Sequence, residues 1–300
     1  MSAWKAGLLH PRYWLIGCGF GVLRLLAYLP YRPLMVLGRG LGWVFYHLAK
    51  RRMHISRVNL RLCFPEQTAE QREQFAKEYA ISVGMGLMDF VIAWWWPDRR
   101  LAAQSDIVGV EHLQAALKKG QGVILFTPHM VSIELCGRLL ASHVPVMPMY
   151  RRHENPLIEH LMKQNREAYV PTTIPRDKPR LALRMLQKKQ AIWISPDQNY
   201  AGKYHVFVDF LGVPAATNTT VSRFAKLSNA LVVPCVVIRQ SSGRYQLMIE
   251  SALNDFPQEL QQDTEQLQAF IERWVRLAPE QYHWMHRRFK TRPDQMPSVY

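Results

Sequence analysis

The sequence predicts an α/β fold in which a mainly parallel sheet is flanked by helices. From about Ile107 onward, short apolar runs alternate with segments of helical spacing, the pattern of repeated βα units. The clearest run, Val123–Phe126, is stopped by Thr127-Pro128, because proline cannot donate a further ladder bond and disfavours helix in the residue before it. Apolar residues make up 48% of 300 positions, enough for a substantial core. No linker, repeat or low-complexity tract divides the chain, so residues 1–300 are read as one domain.

The N-terminal part precedes this alternation. Residues 10–30 are expected to form a membrane-anchoring helix. Its apolar stretch, Tyr13 to Leu29, falls short of the roughly 20 residues a span needs, and Arg24 interrupts it. Trp4, Tyr13 and Trp14 at one end suit an interface. A marginal single-pass anchor, an amphipathic helix lying in one leaflet and an ordinary core helix all remain open. No small-residue cleavage site marks a signal peptide. Leu34, Leu37, Leu41, Val44, Phe45 and Leu48 then recur at helical spacing, an apolar stripe. Lys50, Arg51, Arg52, Arg57 and Arg61 follow. Such a cluster suits an anionic cytoplasmic leaflet, at about 1 kcal/mol per residue, or is simply a solvated helix face. Residues 66–89 read as a polar-faced helix opened by Pro65 and ended near Trp94-Trp-Trp-Pro97. Three adjacent tryptophans cannot all face one core, so at least one is expected at a membrane or lipid-tail surface.

Beyond Ile107 the expected strands are residues 123–126, 144–149, 191–195, 231–238 and 245–250. The expected helices are residues 112–118, 132–141, 156–168, 179–188, 219–227 and 264–277. Asn155-Pro156 supplies an N-cap followed by an N1 proline. Ligands of such sheets bind beyond the carboxyl ends of the strands. His129, after the run 123–126, and Asp197, after the run 191–195, both fall at that edge.

His129 and Glu134 are the first candidates for chemistry. Positions five apart on an ideal helix diverge by roughly 140°. They can therefore meet only if His129 belongs to the turn and Glu134 to the first turn of the helix. The carboxylate would then orient one ring nitrogen and leave the other basic. The bland alternative is a structural histidine beside a solvated glutamate. Ser132 lies in the same stretch, but no G-x-S-x-G surrounds it, which argues against a covalent serine. His283-x-x-His286 has a metal-like spacing without a third ligand nearby, so neither metal nor cofactor is expected. The four cysteines, Cys18, Cys63, Cys136 and Cys235, are scattered without a C-x-x-C, which favours a reducing compartment.

A formal charge of +15 calls for an anionic partner: nucleic acid, a membrane surface, or an acidic protein or substrate. No zinc-finger spacing, RNP-like motif or basic-region heptad is present, so nucleic acid is not expected. Basic residues beside long Trp-rich apolar stretches suit a membrane better.

Many motifs in one order resemble a known family. They include His10-Pro-Arg-Tyr-Trp14, Arg57-Val-Asn-Leu-Arg-Leu-Cys-Phe-Pro65 and Thr127-Pro-His-Met-Val-Ser-Ile-Glu-Leu135. Met149-Tyr-Arg-Arg152, Asn155-Pro-Leu157, Pro175-Arg-Asp177 and Pro196-Asp-Gln-Asn-Tyr200 follow. Val206 to Thr217 and His286-Arg-Arg-Phe-Lys-Thr-Arg-Pro293 complete the set. Over nearly the whole chain the sequence is similar to the late (secondary) acyltransferases of lipid A biosynthesis, of lauroyl or myristoyl transferase type. The resemblance implies a glycerolipid-acyltransferase-like fold at the cytoplasmic face of the inner membrane. It implies acyl transfer from acyl carrier protein to a hydroxyl of an acyl chain on a lipid A precursor. It makes His129 and Glu134 the catalytic pair, His129 as base, and makes Arg176 and Asp197 functional residues. Arg151 and Arg176 would clamp anionic groups of the substrate, with Asp197 positioning Arg176. The sequence departs from the family at Asn199, where relatives often carry Asp, and at Ala201, where Gly often stands. Two rivals stay open: the same chemistry on a glycerolipid, ornithine lipid or glycolipid, and a non-catalytic lipid-binding membrane protein.

Overall fold

The computed structural model describes residues 10–294 and 296–300; Trp4 lies outside the described residues. Five helices come first: α1 (Trp14–Leu26), α2 (Tyr31–Leu48), α3 (Lys50–Cys63), α4 (Ala69–Trp95) and α5 (Asp98–Gln104). Helix α4 starts at a capping box, in which Thr68 accepts from the Gln71 amide and the Gln71 side chain accepts from the Thr68 amide. It stops at Trp96, extended because Pro97 follows.

The α/β part then runs β1 (Ser105–Val108), α6 (Val110–Lys118), β2 (Val123–Phe126), α7 (Ile133–Ala141), β3 (Val146–Tyr150) and α8 (Pro156–Arg166). It continues with β4 (Ile174–Pro175), α9 (Pro179–Gln187), β5 (Ala191–Ile194), β6 (His205–Phe210) and β7 (Val213–Asn218). It closes with α10 (Thr220–Ser228), β8 (Leu231–Arg239), β9 (Tyr245–Ile249) and α11 (Leu260–Leu277). The seven-stranded sheet has the order β1-β9-β8-β2-β5-β3-β4, and β6-β7 form a separate hairpin. Helices cover both faces of the sheet, which is why β2 and β5 are apolar at every position. Their side chains alternate between two cores: Ile124, Phe126, Ile192 and Ile194 in one, Val123, Leu125, Ala191 and Trp193 in the other.

The expected strands all form, with shifts of one or two residues at their ends. The sheet is mainly parallel, as expected, and three features go beyond the sequence reading. The β6-β7 hairpin, β1 and the two-residue β4 carry no apolar run of the kind that marks β2. The sheet is mixed at one side, because β8 and β9 are joined by a tight turn through Gly243 (φ +87°) and so must run antiparallel. Most of the apolar stripe of α2 lies outside the core: Leu37, Leu41, Val44 and Leu48 are exposed, together with Val36 and Trp43, while Leu34 is buried and Phe45 partly so. The inward face is Leu34, Met35, Gly38 and Gly42, set against α4.

That contact explains why α2 carries glycines on its inward face. A Cβ on Gly84 of α4 would collide with backbone atoms of Gly38 and Gly42, so the two helices meet backbone to backbone. Among the described residues no helix is long and apolar enough to cross a membrane. Helix α1 buries none of its residues, unlike an ordinary core helix. Of the tryptophan triplet, Trp96 is buried, while Trp94 and Trp95 are partly exposed. Gly84→Ala should destabilise the fold by about 1–3 kcal/mol through overpacking, read as a lower urea midpoint at unchanged slope.

Candidate active site

Strands β2 and β5 are parallel neighbours, with Phe126 level with Ile194, and the Thr127 amide donates to the Ile194 carbonyl at 3.1 Å. Each strand is followed by a hydroxyl residue, a proline and a polar side chain: Thr127-Pro128-His129 and Ser195-Pro196-Asp197. The prolines end the ladder at the same level, so the third residue past each strand meets the other. His129 Nδ1 stands 2.5 Å from Asp197 Oδ1, and the His129 amide donates to Asp197 Oδ2 at 2.9 Å. An ionised carboxylate only accepts, so it holds the ring proton on Nδ1 and leaves Nε2 as the basic nitrogen. Burial by itself would raise the Asp197 carboxyl; the His129 ring and amide outweigh it and hold the group at about 2. The Asp197 side chain is 1% exposed and that of His129 25%, so the acid is sealed in and the ring reaches solvent.

A C-terminal segment braces this turn. The Val131 amide donates to the Gln281 carbonyl at 2.7 Å and the His283 amide to the His129 carbonyl at 3.0 Å, with Met130 bridged to Tyr282. Burial and the neighbouring Asp197 keep the Tyr282 phenol far above its ordinary range, so it stays protonated. His283 and His286 come to the same place. Burial, then the charge of His129, lowers them to about 3 and about 4, so both rings are neutral near pH 7. Among the described residues no group of three or more His, Cys, Asp or Glu is arranged to hold a metal.

Glu134 does not orient His129. It sits in the first turn of α7, buried, and its carboxylate receives Trp94 Nε1 (2.7 Å), Arg166 Nε and Nη2 (both 2.8 Å) and the Tyr169 hydroxyl (3.1 Å). Burial would raise it, but the Arg166 guanidinium wins and holds it below the usual carboxylate range. Those four donors leave it tying α4 and α8 to α7 rather than facing the ring. Ser132 is likewise occupied, donating to Asp89 at 2.6 Å in a buried cluster with Arg239 and Tyr245. Asp197 does not position Arg176, because His129 takes both its oxygens. Arg176 and Arg151 are exposed at the ends of β4 and β3, on the same edge of the sheet as His129. Arg151 pairs with Glu154 at 3.1 Å.

The sequence reading thus placed His129 and Asp197 on the right edge but gave the ring the wrong acid. Aligning Gly122–His129 against Gln190–Asp197 was the available signal: four apolar residues, a hydroxyl, a proline and a polar group at equal offset. Trp94, Arg166 and Tyr169 carry no local pattern that ties them to Glu134.

Comparison with known proteins shows the family to which the chain belongs. The model of the family "Bacterial lipid A biosynthesis acyltransferase" matches residues 1–291. The chain is 37% identical to a lipid A biosynthesis lauroyltransferase of Escherichia coli, covering 100% of this chain and 99% of that protein. It is 38% identical to a lipid A biosynthesis palmitoleoyltransferase of the same organism, over 97% and 96% of the two chains. A crystal structure of the 1-acyl-sn-glycerophosphate acyltransferase PlsC from Thermotoga maritima superposes with a TM-score of 0.38 at 12% identity, covering 83% of this chain and 96% of that one. The whole-length match to the family model and to both Escherichia coli enzymes makes the chain an acyltransferase, a member of the bacterial lipid A biosynthesis acyltransferase family.

Proposed function

We propose that this chain moves a fatty acyl group from an acyl carrier protein thioester to a hydroxyl on an acyl chain of a lipid A precursor. In this reading His129 is the base and Asp197 its partner. The observation that carries the mechanism is the 2.5 Å contact between His129 Nδ1 and a buried carboxylate, in a histidine side chain that is a quarter exposed. An aliphatic alcohol is a poor nucleophile at neutral pH and needs a positioned base. Nε2 takes its proton as the oxygen attacks the thioester carbonyl. The tetrahedral oxyanion collapses and expels the carrier's thiolate, which takes the proton back from the imidazolium. Asp197 stabilises that imidazolium and fixes the ring. No acyl-enzyme is required, and the Ser132 hydroxyl, buried on Asp89, is not available for one.

Arg151 and Arg176 suit the anionic part of the substrate. Arg176 follows β4, three strand spacings from β2, or about 14 Å along the sheet edge. An anionic group held there would leave a hydroxyl on an attached acyl chain free to reach His129. The basic surface also suits acyl carrier protein, an acidic partner.

Membrane association at the cytoplasmic face of the inner membrane is the matching reading of the N-terminal layer, with residues 10–30 lying in the interface. Trp14, Leu15, Val22 and Leu25 of α1 are exposed, as are Leu37, Leu41, Trp43 and Leu48 of α2. Lys50, Arg51, Arg52 and Arg61 continue that surface on α3, all exposed. Arg57 is not part of it, because it is held bidentately by Glu73 at 2.7 Å.

His129→Ala and Asp197→Asn should each lower kcat by about 10²–10⁴-fold in an assay with acylated carrier protein and lipid A precursor. Wild-type turnover by either folded variant would refute the dyad. Glu134→Ala should instead cost about 3–5 kcal/mol of stability, because it strands the Arg166 guanidinium; chemical denaturation measures this. Replacing Leu41 and Trp43 together with Ser should release the protein from anionic vesicles in a flotation assay while its melting temperature holds.

A further inference from the structure

The reaction needs Asp197 at a fixed distance from His129, yet Asp197 sits on a loop, Pro196 to Tyr200, with no secondary structure of its own. Hydrogen bonds from the C-terminal segment hold that loop. The Asn199 amide donates to His286 Nε2 at 3.0 Å. The Asn199 side chain exchanges two bonds with Thr291: its Nδ2 donates to Thr291 Oγ1 at 3.1 Å, and its Oδ1 accepts from the Thr291 amide at 2.9 Å. The Tyr200 amide then donates to the Ala216 carbonyl on β7 at 3.2 Å. The segment itself is tied down elsewhere, by Asn59 Nδ2 on the Trp284 and His286 carbonyls at 2.7 and 2.8 Å and by the Met285 amide on the Tyr79 hydroxyl at 3.0 Å.

We propose that His286 is a positioning residue for the dyad: by accepting the Asn199 amide it fixes the loop that presents Asp197 to His129. The role rests on the dyad reading above. The acceptor must be a neutral imidazole, since a protonated ring has no lone pair to offer. Burial and the nearby His129 keep His286 uncharged at neutral pH. The same segment also holds the His129 turn, through the His283 amide on the His129 carbonyl. One stretch of chain thus sets both sides of the 2.5 Å contact. His286 accounts for half of the His283-x-x-His286 motif with no metal.

The test is a double-mutant cycle on purified full-length protein, assayed with acylated carrier protein and lipid A precursor. His286→Leu should lower kcat by about 10²-fold, the scale of an ångström-sized misplacement, with KM within about twofold. His286→Gln, whose side-chain oxygen can stand where Nε2 stood, should recover most of the rate. His286→Asn, one atom shorter, should not, and this pair serves if the Leu variant fails to fold. On an Asp197→Asn background, His286→Leu should cost no more than about twofold further, because its effect runs through the missing carboxylate. A full multiplicative loss on that background would overturn the proposal, as would an undiminished kcat in folded His286→Leu. An Asp197→Asn enzyme with wild-type kcat would instead overturn the dyad itself, so the two failures are told apart.

Discussion

The parallel ladder between β2 and β5 is the constraint from which the site follows. It levels Phe126 with Ile194, and two prolines then stop the strands so that an imidazole and a carboxylate meet three residues on. Neither side chain is placed by its own local sequence. A slip of one residue would turn every side chain of β2 to the other face, sending Ile124 and Phe126 into the core that now holds Val123 and Leu125. Because both faces are covered, that slip is opposed along the whole strand. The precision of the 2.5 Å contact is therefore supplied by core packing as much as by the two groups themselves.

Much of this was legible in the chain. The βα alternation, the boundaries of β2 and the edge on which His129 and Asp197 lie all follow from apolar period and proline position, which are local signals. What stayed hidden depends on pairs far apart in sequence. The pairing of Glu134 with His129 rests on a turn leading into a helix and on the family resemblance, whereas its partners in the structure, Trp94 and Arg166, are 40 and 32 residues away. The hairpin of β6 and β7 was hidden for another reason: it stands off the main sheet, and β6 is only partly buried. The α2 stripe shows the limit of hydropathy. Apolar spacing finds a helical face, but Gly38 and Gly42, which look like weak points, mark the side that packs.

Two other buried acids near the His129 turn have surroundings like those of Asp197 and a different duty. Asp89 and Glu134 are each neutralised by an arginine, Arg239 and Arg166, and each takes further donors, so both carboxylates are bound up in structural ties. Asp197 differs in having an imidazole rather than a guanidinium opposite it. A guanidinium never yields its proton at working pH, so it makes a permanent tie; an imidazole can gain and lose one, so it makes a working pair. The identity of the cation, more than the depth of burial, separates the carboxylate beside His129 from the two tied to arginines.

Asn59 has a bearing beyond stability. It stands on α3 among the basic residues, fully enclosed, and its amide grips two carbonyls of the segment that braces the dyad. Two hydrogen bonds thus couple the cationic helix directly to the stretch of chain behind His129. A surface that α3 rests on would meet the imidazole through one short relay of side chain and backbone.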